Sequence, residues 1–264
     1  MKVMGILNAT PDSFFAASRT GPEEVAERAL SMERAGADLL DIGGESTRPG
    51  TAYVDDTTEL ARIVPVLQNI RKSGCRLPLS VDTRKYSVAQ AAWKEGATWI
   101  NDVSALRDDP NLAAFAADSG MTVVLMHASG PPKTMQVSPH YSDVVQQVCD
   151  FLSEAIDRAL AAGISGTRIV IDPGIGFGKT KEHNIALIKA LPQLKRLGFP
   201  VLVGLSRKSL IGDLLQIQVE DRLAGSLAGA LACLVQGADL IRVHDVPETV
   251  GALSVFQALT KGAG

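Results

Sequence analysis

The sequence predicts a single (β/α)8 TIM barrel spanning residues 1–264, and three observations carry that prediction. Eight short apolar runs recur along the chain, continuous rather than alternating, as strands buried on both faces are. Segments with helical spacing separate them; Val25, Ala29 and Met32 share one helical face, as do Val144, Val148, Phe151, Ala155 and Ala159. Phrases such as Ala35-Gly36-Ala37-Asp38, Gly96-Ala97 and Gly237-Ala238-Asp239 stand where a helix stops and the next strand begins, a natural place for glycine. A doubly wound sheet is the alternative reading of the same alternation.

Each run ends in a polar residue. Val3 to Leu7 leads to Asn8, and Leu39 to Ile42 contains Asp41 and opens the stretch Asp41 to Gly50. Leu79 to Val81 leads to Asp82, Trp99 to Asn101 to Asp102, and Thr122 to Met126 to His127. Ile169 to Ile171 leads to Asp172, Val201 to Leu205 to Ser206-Arg207-Lys208, and Leu240 to Val243 carries Arg242 and leads to His244. Any one of these is explained as a helix cap. All of them together match a barrel, whose βα loops share one rim and gather functional residues there. The richest loop is Asp41-Ile-Gly-Gly-Glu-Ser-Thr-Arg-Pro-Gly50. Its paired glycines allow close backbone approach, its Pro-Gly end forces a turn, and Arg48 offers a fork of donors for oxyanions. The plainer reading is a glycine-rich surface turn.

Composition narrows the function. Hydrophobic residues make up 46% and charged residues 21%, ordinary for a soluble domain. A net charge of −3 gives no electrostatic reason to expect nucleic acid. Cys75, Cys149 and Cys233 are odd in number and show no CxxC spacing, which argues against a disulfide framework or a zinc site and fits a reducing cytoplasm. The N-terminus runs straight into strand-like sequence, so neither a signal peptide nor a membrane span is expected.

Asp82, Asn101, Asp172 and Lys208 would converge from separate strands, mixing acceptors and donors. Such a set suits a flat heterocycle such as a pterin or purine; two aspartates and an asparagine also suit a divalent metal. Arg242, His244 and Arg48, with Asn8 opposite, form a cationic group suited to a diphosphate and its Mg2+. His244 on its own reads equally well as a structural histidine. The stretch Asp172-Pro-Gly-Ile-Gly-Phe-Gly-Lys-Thr180 imitates a nucleotide-binding loop, but Pro173 stands where a P-loop requires glycine and Lys179 where a dinucleotide fingerprint does. It reads instead as a tight loop that brings backbone and Phe177 against a ligand.

In order along the chain, Gly5 to Phe14, Asp41 to Gly50, Ser80-Val-Asp-Thr83, Ile100-Asn-Asp-Val-Ser104, Met126-His127, Thr134-Met-Gln136, Asp172 to Lys179, Ser206-Arg-Lys-Ser209 and Arg242-Val-His-Asp245 resemble the marks of the dihydropteroate synthase family. The resemblance implies transfer of a pterin-methyl group from its diphosphate to p-aminobenzoate, with sulfonamides as inhibitors. It implies that Asp82, Asn101, Asp172 and Lys208 hold the pterin with Met126 lining its pocket, and that Asn8 binds Mg2+. Arg242 and His244 would take the diphosphate with Thr47 nearby, and Thr47, Arg48, Pro49, Phe177 and Ser206 the p-aminobenzoate. Asn8, Lys208, Arg242 and His244 would be the catalytic set, and the protein a homodimer. Diphosphate would leave first and the arylamine attack a pterin-stabilised cation.

The chain also departs from the family pattern. Phe15-Ala16-Ala17-Ser18 replaces the usual Ser-Asp-Gly-Gly, which removes an acidic residue and two glycines from a loop that helps close the site in the family; Phe15 is expected to narrow the arylamine entrance. Ala105 stands where glycine is usual and Ala128 where methionine is. Two relatives by fold offer alternatives: methyltetrahydrofolate–corrinoid methyltransferases, which have no need of a diphosphate group, and a pterin-binding paralogue without catalysis, which the altered first loop alone suggests.

Overall fold

A computed structural model describes residues 1–9, 22–46, 51, 53–130 and 134–260, the side chains of residues 22 and 23 aside. The strands are β1 (Lys2–Asn8), β2 (Leu39–Gly43), β3 (Leu79–Asp82), β4 (Trp99–Asp102), β5 (Thr122–Met126), β6 (Ile169–Asp172), β7 (Leu202–Val203) and β8 (Leu240–Val243). They pair in parallel in the order β6-β5-β4-β3-β2-β1-β8-β7. A bridge between Ile171 and Val201, with the Ile171 N–H donating to the Pro200 carbonyl at 2.9 Å, brings β6 against β7. The result is the expected barrel rather than a doubly wound sheet.

Helices α1 (Pro22–Arg34), α2 (Asp56–Lys72), α3 (Tyr86–Lys94), α4 (Pro110–Ser119), α5 (Val144–Ala161), α6 (Lys181–Lys189), α7 (Leu191–Leu194), α8 (Ser209–Leu215), α9 (Leu223–Val235) and α10 (Val246–Thr260) follow the strands in turn. Their apolar stripes are those the periodicity marks: Val25, Ala29 and Met32 of α1 are buried, as are Val148, Ala155 and Ala159 of α5. Side chains from strands and helices merge into one large core.

A second, smaller core fills the barrel interior. Met4, Leu39, Val124, Val170, Leu202 and Leu240 pack together with Trp99 against them. Successive strand residues alternate between faces, so the residue two places on points to the same side. Two places beyond this apolar plug stand Asp41, Asn101, Met126, Asp172 and Arg242. The polar residues therefore sit inside the lumen, on a hydrophobic floor, and the period of the strand puts them there.

The strand ends differ from the expected ones in a consistent way. Asn8, Gly43, Asp82, Asp102 and Asp172 still belong to their strands, one residue further than the apolar runs suggest, because backbone pairing does not depend on side-chain polarity. The seventh strand is shorter than Val201 to Leu205. Val201 makes a single bridge and the chain leaves the ladder at Gly204, a residue with no side chain to pack in a sheet.

Candidate active site

The lumen holds a chain of charges that crosses four strands. Arg242 of β8 donates from Nε to Asp41 Oδ2 at 2.6 Å and from a terminal nitrogen to Asp82 Oδ2 at 2.8 Å. Asn101 of β4 donates its amide N–H to the same Asp41 oxygen at 2.9 Å. Asp41 is fully buried, and its other carboxylate oxygen has no hydrogen-bond partner among the described residues. One guanidinium thus fixes two aspartates, and the first of them orients the asparagine. Burial pushes Asp82 up to about 7, against the opposing pull of Arg242. Burial alone would lower the Arg242 pKa, but Asp41 and Asp82 outweigh it and hold the guanidinium charged.

The opposite wall comes from β5, β6 and β7. Asp172 is buried and accepts from the Gly174 N–H at 2.7 Å. Burial raises its pKa, an effect that the nearby Lys208 opposes. Lys208 donates to the Ile175 carbonyl at 2.5 Å, and its ammonium lies 4.5 Å from the centre of the Phe177 ring. Burial draws Lys208 down to about 8. Phe177 packs on the cluster of Val103, Met126 and Ala128, so the predicted pterin-lining methionine and the predicted arylamine phenylalanine share one apolar surface. Ala128 and Val103 also line a cavity of about 300 Å³ that Arg84 and Arg107 border.

The loop that carries Phe177 is held from within. Gly174 has a φ of +68°, and a Cβ there would fall 1.9 Å from the His127 carbonyl oxygen, so no other residue fits. Lys179 is buried and donates to the Gly174 carbonyl at 2.9 Å, the Phe177 carbonyl at 3.0 Å and His127 Nδ1 at 2.9 Å. The His127 carbonyl stands further off at 3.4 Å, so every proton of the ammonium has an acceptor, although burial pulls Lys179 down to about 7. Burial, and then Lys179, hold His127 far down at about 3, so it is a neutral acceptor here rather than an acid–base group. Gln136 of the Thr134-Met-Gln136 motif accepts from the Lys179 N–H at 3.0 Å and ties that segment to the same loop.

The remaining rim residues divide into two kinds. Ser206 Oγ lies 3.1 Å from His244 Nδ1 and accepts the His244 N–H at 3.2 Å, which brings two predicted residues into contact. A two-pronged pair at 2.8 Å, Arg207 to Asp245, ties the same two loops together behind them. Asn8 is half-buried at the end of β1, in register with Gly43. Asp102, by contrast, is structural: it accepts from the N–H groups of Ser104 at 2.7 Å and Leu106 at 2.6 Å. That grip holds a turn in which Ala105 has a φ of +52°, so the alanine that replaces the family's usual glycine sits in a backbone state that glycine takes more easily. Thr47, Arg48 and Pro49, with the altered loop Phe15 to Ser18, lie outside the described residues.

Sequence reasoning gave no ligand role to Asp41, Lys179, Glu45 or Lys85. For Asp41 the signal was present, an aspartate two places after a plug residue in a buried strand. For the others the sequence carries no local signal, since each also pairs with a residue distant in the chain: Lys179 with His127, and Lys85 with Glu45 and Glu59.

Residues 4–244 match the family model described as pterin binding enzyme. The chain is 45% identical over 257 residues to dihydropteroate synthase of Escherichia coli (strain K12), covering 97% of this chain and 90% of that relative. It is similar to the structure of Xanthomonas albilineans dihydropteroate synthase with 4-aminobenzoic acid, at 48% identity and a TM-score of 0.92, covering 99% of this chain and 94% of that one. The Yersinia pestis dihydropteroate synthase structure with a sulfonamide drug complex matches at 44% identity and a TM-score of 0.92, covering 98% and 94% of the two chains.

Proposed function

The chain belongs to the pterin-binding enzyme family, and from that premise we propose that it catalyses the dihydropteroate synthase reaction. It is a transferase of folate biosynthesis that joins (7,8-dihydropterin-6-yl)methyl diphosphate to p-aminobenzoate. The observation that carries this reading is the lumen network, in which Arg242 bridges Asp41 and Asp82 while Asn101 rests on Asp41. A flat heterocycle with several N–H and carbonyl groups needs such a preorganised set of acceptors and donors, and an apolar face such as that of Met126, Val103 and Phe177 to lie against.

In the reaction, the C–O bond between the pterin methylene and the diphosphate breaks, and the leaving group takes the electron pair. Asp82 and Asp172 near the ring favour the positive charge left on it, while Arg242, His244 and Lys208 favour the negative charge that departs. The arylamine nitrogen then forms the C–N bond and its extra proton goes to solvent. Phe177 and Ser206, with Thr47, Arg48 and Pro49, form the acceptor side. Sulfonamides are inhibitors in this reading, in keeping with the Yersinia pestis relative solved with a sulfonamide drug complex.

Mg2+ fits the donors present. Among the described residues no group of His, Cys, Asp and Glu is arranged to hold a metal unaided. Magnesium keeps much of its water and takes few protein ligands beside substrate phosphates, so one hard oxygen from Asn8 suffices. When bound, the ion would neutralise charge on the leaving diphosphate.

The protein also fits a homodimer. Helix α9 presents Ala224, Ala228 and Ala232 as an exposed row of small residues, and Val235 at its end is 65% exposed, with Val255 of α10 at 61%. An apolar surface of small residues lets two helices approach closely. Cys75, Cys149 and Cys233 are buried and free, which supports a reducing, cytoplasmic setting, and no described helix is long and apolar enough to cross a membrane.

The test is pyrophosphate release from the pterin diphosphate in the presence of Mg2+, with and without p-aminobenzoate. Arylamine-dependent release with dihydropteroate as product is the expected result. Tight binding of the pterin diphosphate without product would assign pterin binding without catalysis and overturn the proposal.

A further inference from the structure

Glu45 follows β2 and Val54 precedes α2, and one buried cation ties the two into a neck. Glu45 Oε1 accepts the Val54 backbone N–H at 3.2 Å, so the side chain at one end holds the backbone at the other. Lys85 donates to Glu45 Oε2 at 2.8 Å, to the Val54 carbonyl at 2.6 Å, and to Glu59 of α2. All three ammonium protons are thus engaged. Arg84 adds a second grip on Glu45 at 3.1 Å, and the Tyr53 ring covers both cations, with Lys85 Nζ 4.5 Å and Arg84 Cζ 5.1 Å from its centre. Gly44 completes the neck: a Cβ there would meet Ile63 at 2.8 Å and Glu59 at 3.1 Å, so only glycine lets the chain lie this close to α2.

The Lys85 side chain is 6% exposed and that of Glu59 0%, a costly pair of charges to bury if joining Glu45 to Val54 were its only use. Lys85 also stands three residues after Asp82 on the same βα connection, so the neck is referenced to the strand that carries a lumen aspartate. We propose that Lys85 is a positioning residue, which holds Glu45 and Val54 in register with Asp82 and so sets the arylamine side of the site. The proposal rests on the dihydropteroate synthase reading, which assigns Thr47, Arg48 and Pro49, next along the chain from Glu45, to the acceptor.

Lys85→Met tests it, with Glu45→Gln as an isosteric second variant that keeps the shape of the neck and gives up its ion pairs. In either variant the KM for p-aminobenzoate is expected to rise about tenfold, while the Kd for the pterin diphosphate stays within about twofold of the wild-type value. Lys85→Arg, which keeps a cation between the two glutamates, is expected to recover part of the loss. An unchanged arylamine KM overturns the proposal. A parallel weakening of both substrates, or loss of the fold in both variants, also overturns it in favour of a purely structural role. Wild-type protein without arylamine-dependent product would instead overturn the functional reading on which it rests.

Discussion

Lys208 has one carbonyl partner and a ring face beside it, and burial draws it down to about 8. As a donor to substrate it works protonated, so its contribution is complete below that value and is lost as pH rises through it. The kcat/KM for the pterin diphosphate, which reports groups of the free enzyme, is expected to fall above a pH of about 8, and the fall should vanish in Lys208→Met. A pH–rate series on both proteins checks this. Asp41 supports a second expectation. Asp41→Asn removes the charge that Arg242 and Asn101 both lean on, which should cost about 2 kcal/mol of stability and lower kcat/KM about tenfold. Urea unfolding and initial rates measure the two effects. At this scale the sequence showed which residues are polar at strand ends, but not which of them hold one another. Asp102 and Asp82 look alike in sequence, yet one grips its own backbone turn and the other meets Arg242 in the lumen, because Asp82 is in register with Asn101 while Asp102 is the next residue along and points to the other face.

The loop from Asp172 to Thr180 shows how an element can imitate one motif and fold as another. Its Gly178-Lys179-Thr180 ending looks like a phosphate-binding loop, but Lys179 turns back onto its own loop and onto His127, while Thr180 caps α6 in a reciprocal pair with His183. The failed spacing made that exclusion legible in the sequence. The inward turn of Lys179 was not, since His127 comes from β5. The glycines make the element testable. Gly174→Ala places a Cβ into the His127 carbonyl at φ +68°, and should cost about 3 kcal/mol or more and abolish turnover. Gly198→Ala has φ +87° with nothing within 4 Å, and should cost only about 1 kcal/mol and leave turnover intact. Equal losses in the two variants, measured by urea denaturation, would show that backbone strain rather than the close approach to His127 decides the outcome.

Across the whole molecule, continuous apolar runs identified all eight strands, and the barrel follows because parallel strands buried on both faces need helices outside and side chains within. What the runs did not reveal is how unevenly the barrel is closed. β1 and β2 pair over five register positions, whereas β7 pairs with β8 over two and meets β6 through one bridge. Strand count is written in hydrophobicity, but ladder length depends on where the backbone leaves the sheet, and at Gly204 that is a three-dimensional matter. A side chain reinforces the start of the seam. Asp239 Oδ2 accepts both the Val201 N–H at 2.7 Å and the Lys195 ammonium at 2.6 Å, which pins the start of β7 to the turn before β8. Few ladder bonds make this the part of the barrel most prone to local opening, and it lies directly beneath Ser206 and Lys208. Asp239→Ala should therefore raise amide exchange at Val201, Leu202 and Val203 about tenfold or more, while amides of β1 and β2 keep their protection. Hydrogen exchange followed by mass spectrometry reads both regions in one experiment. A uniform rise across the barrel would mean that Asp239 supports global stability rather than the seam, and no change would mean that the β8 ladder alone holds β7 in place.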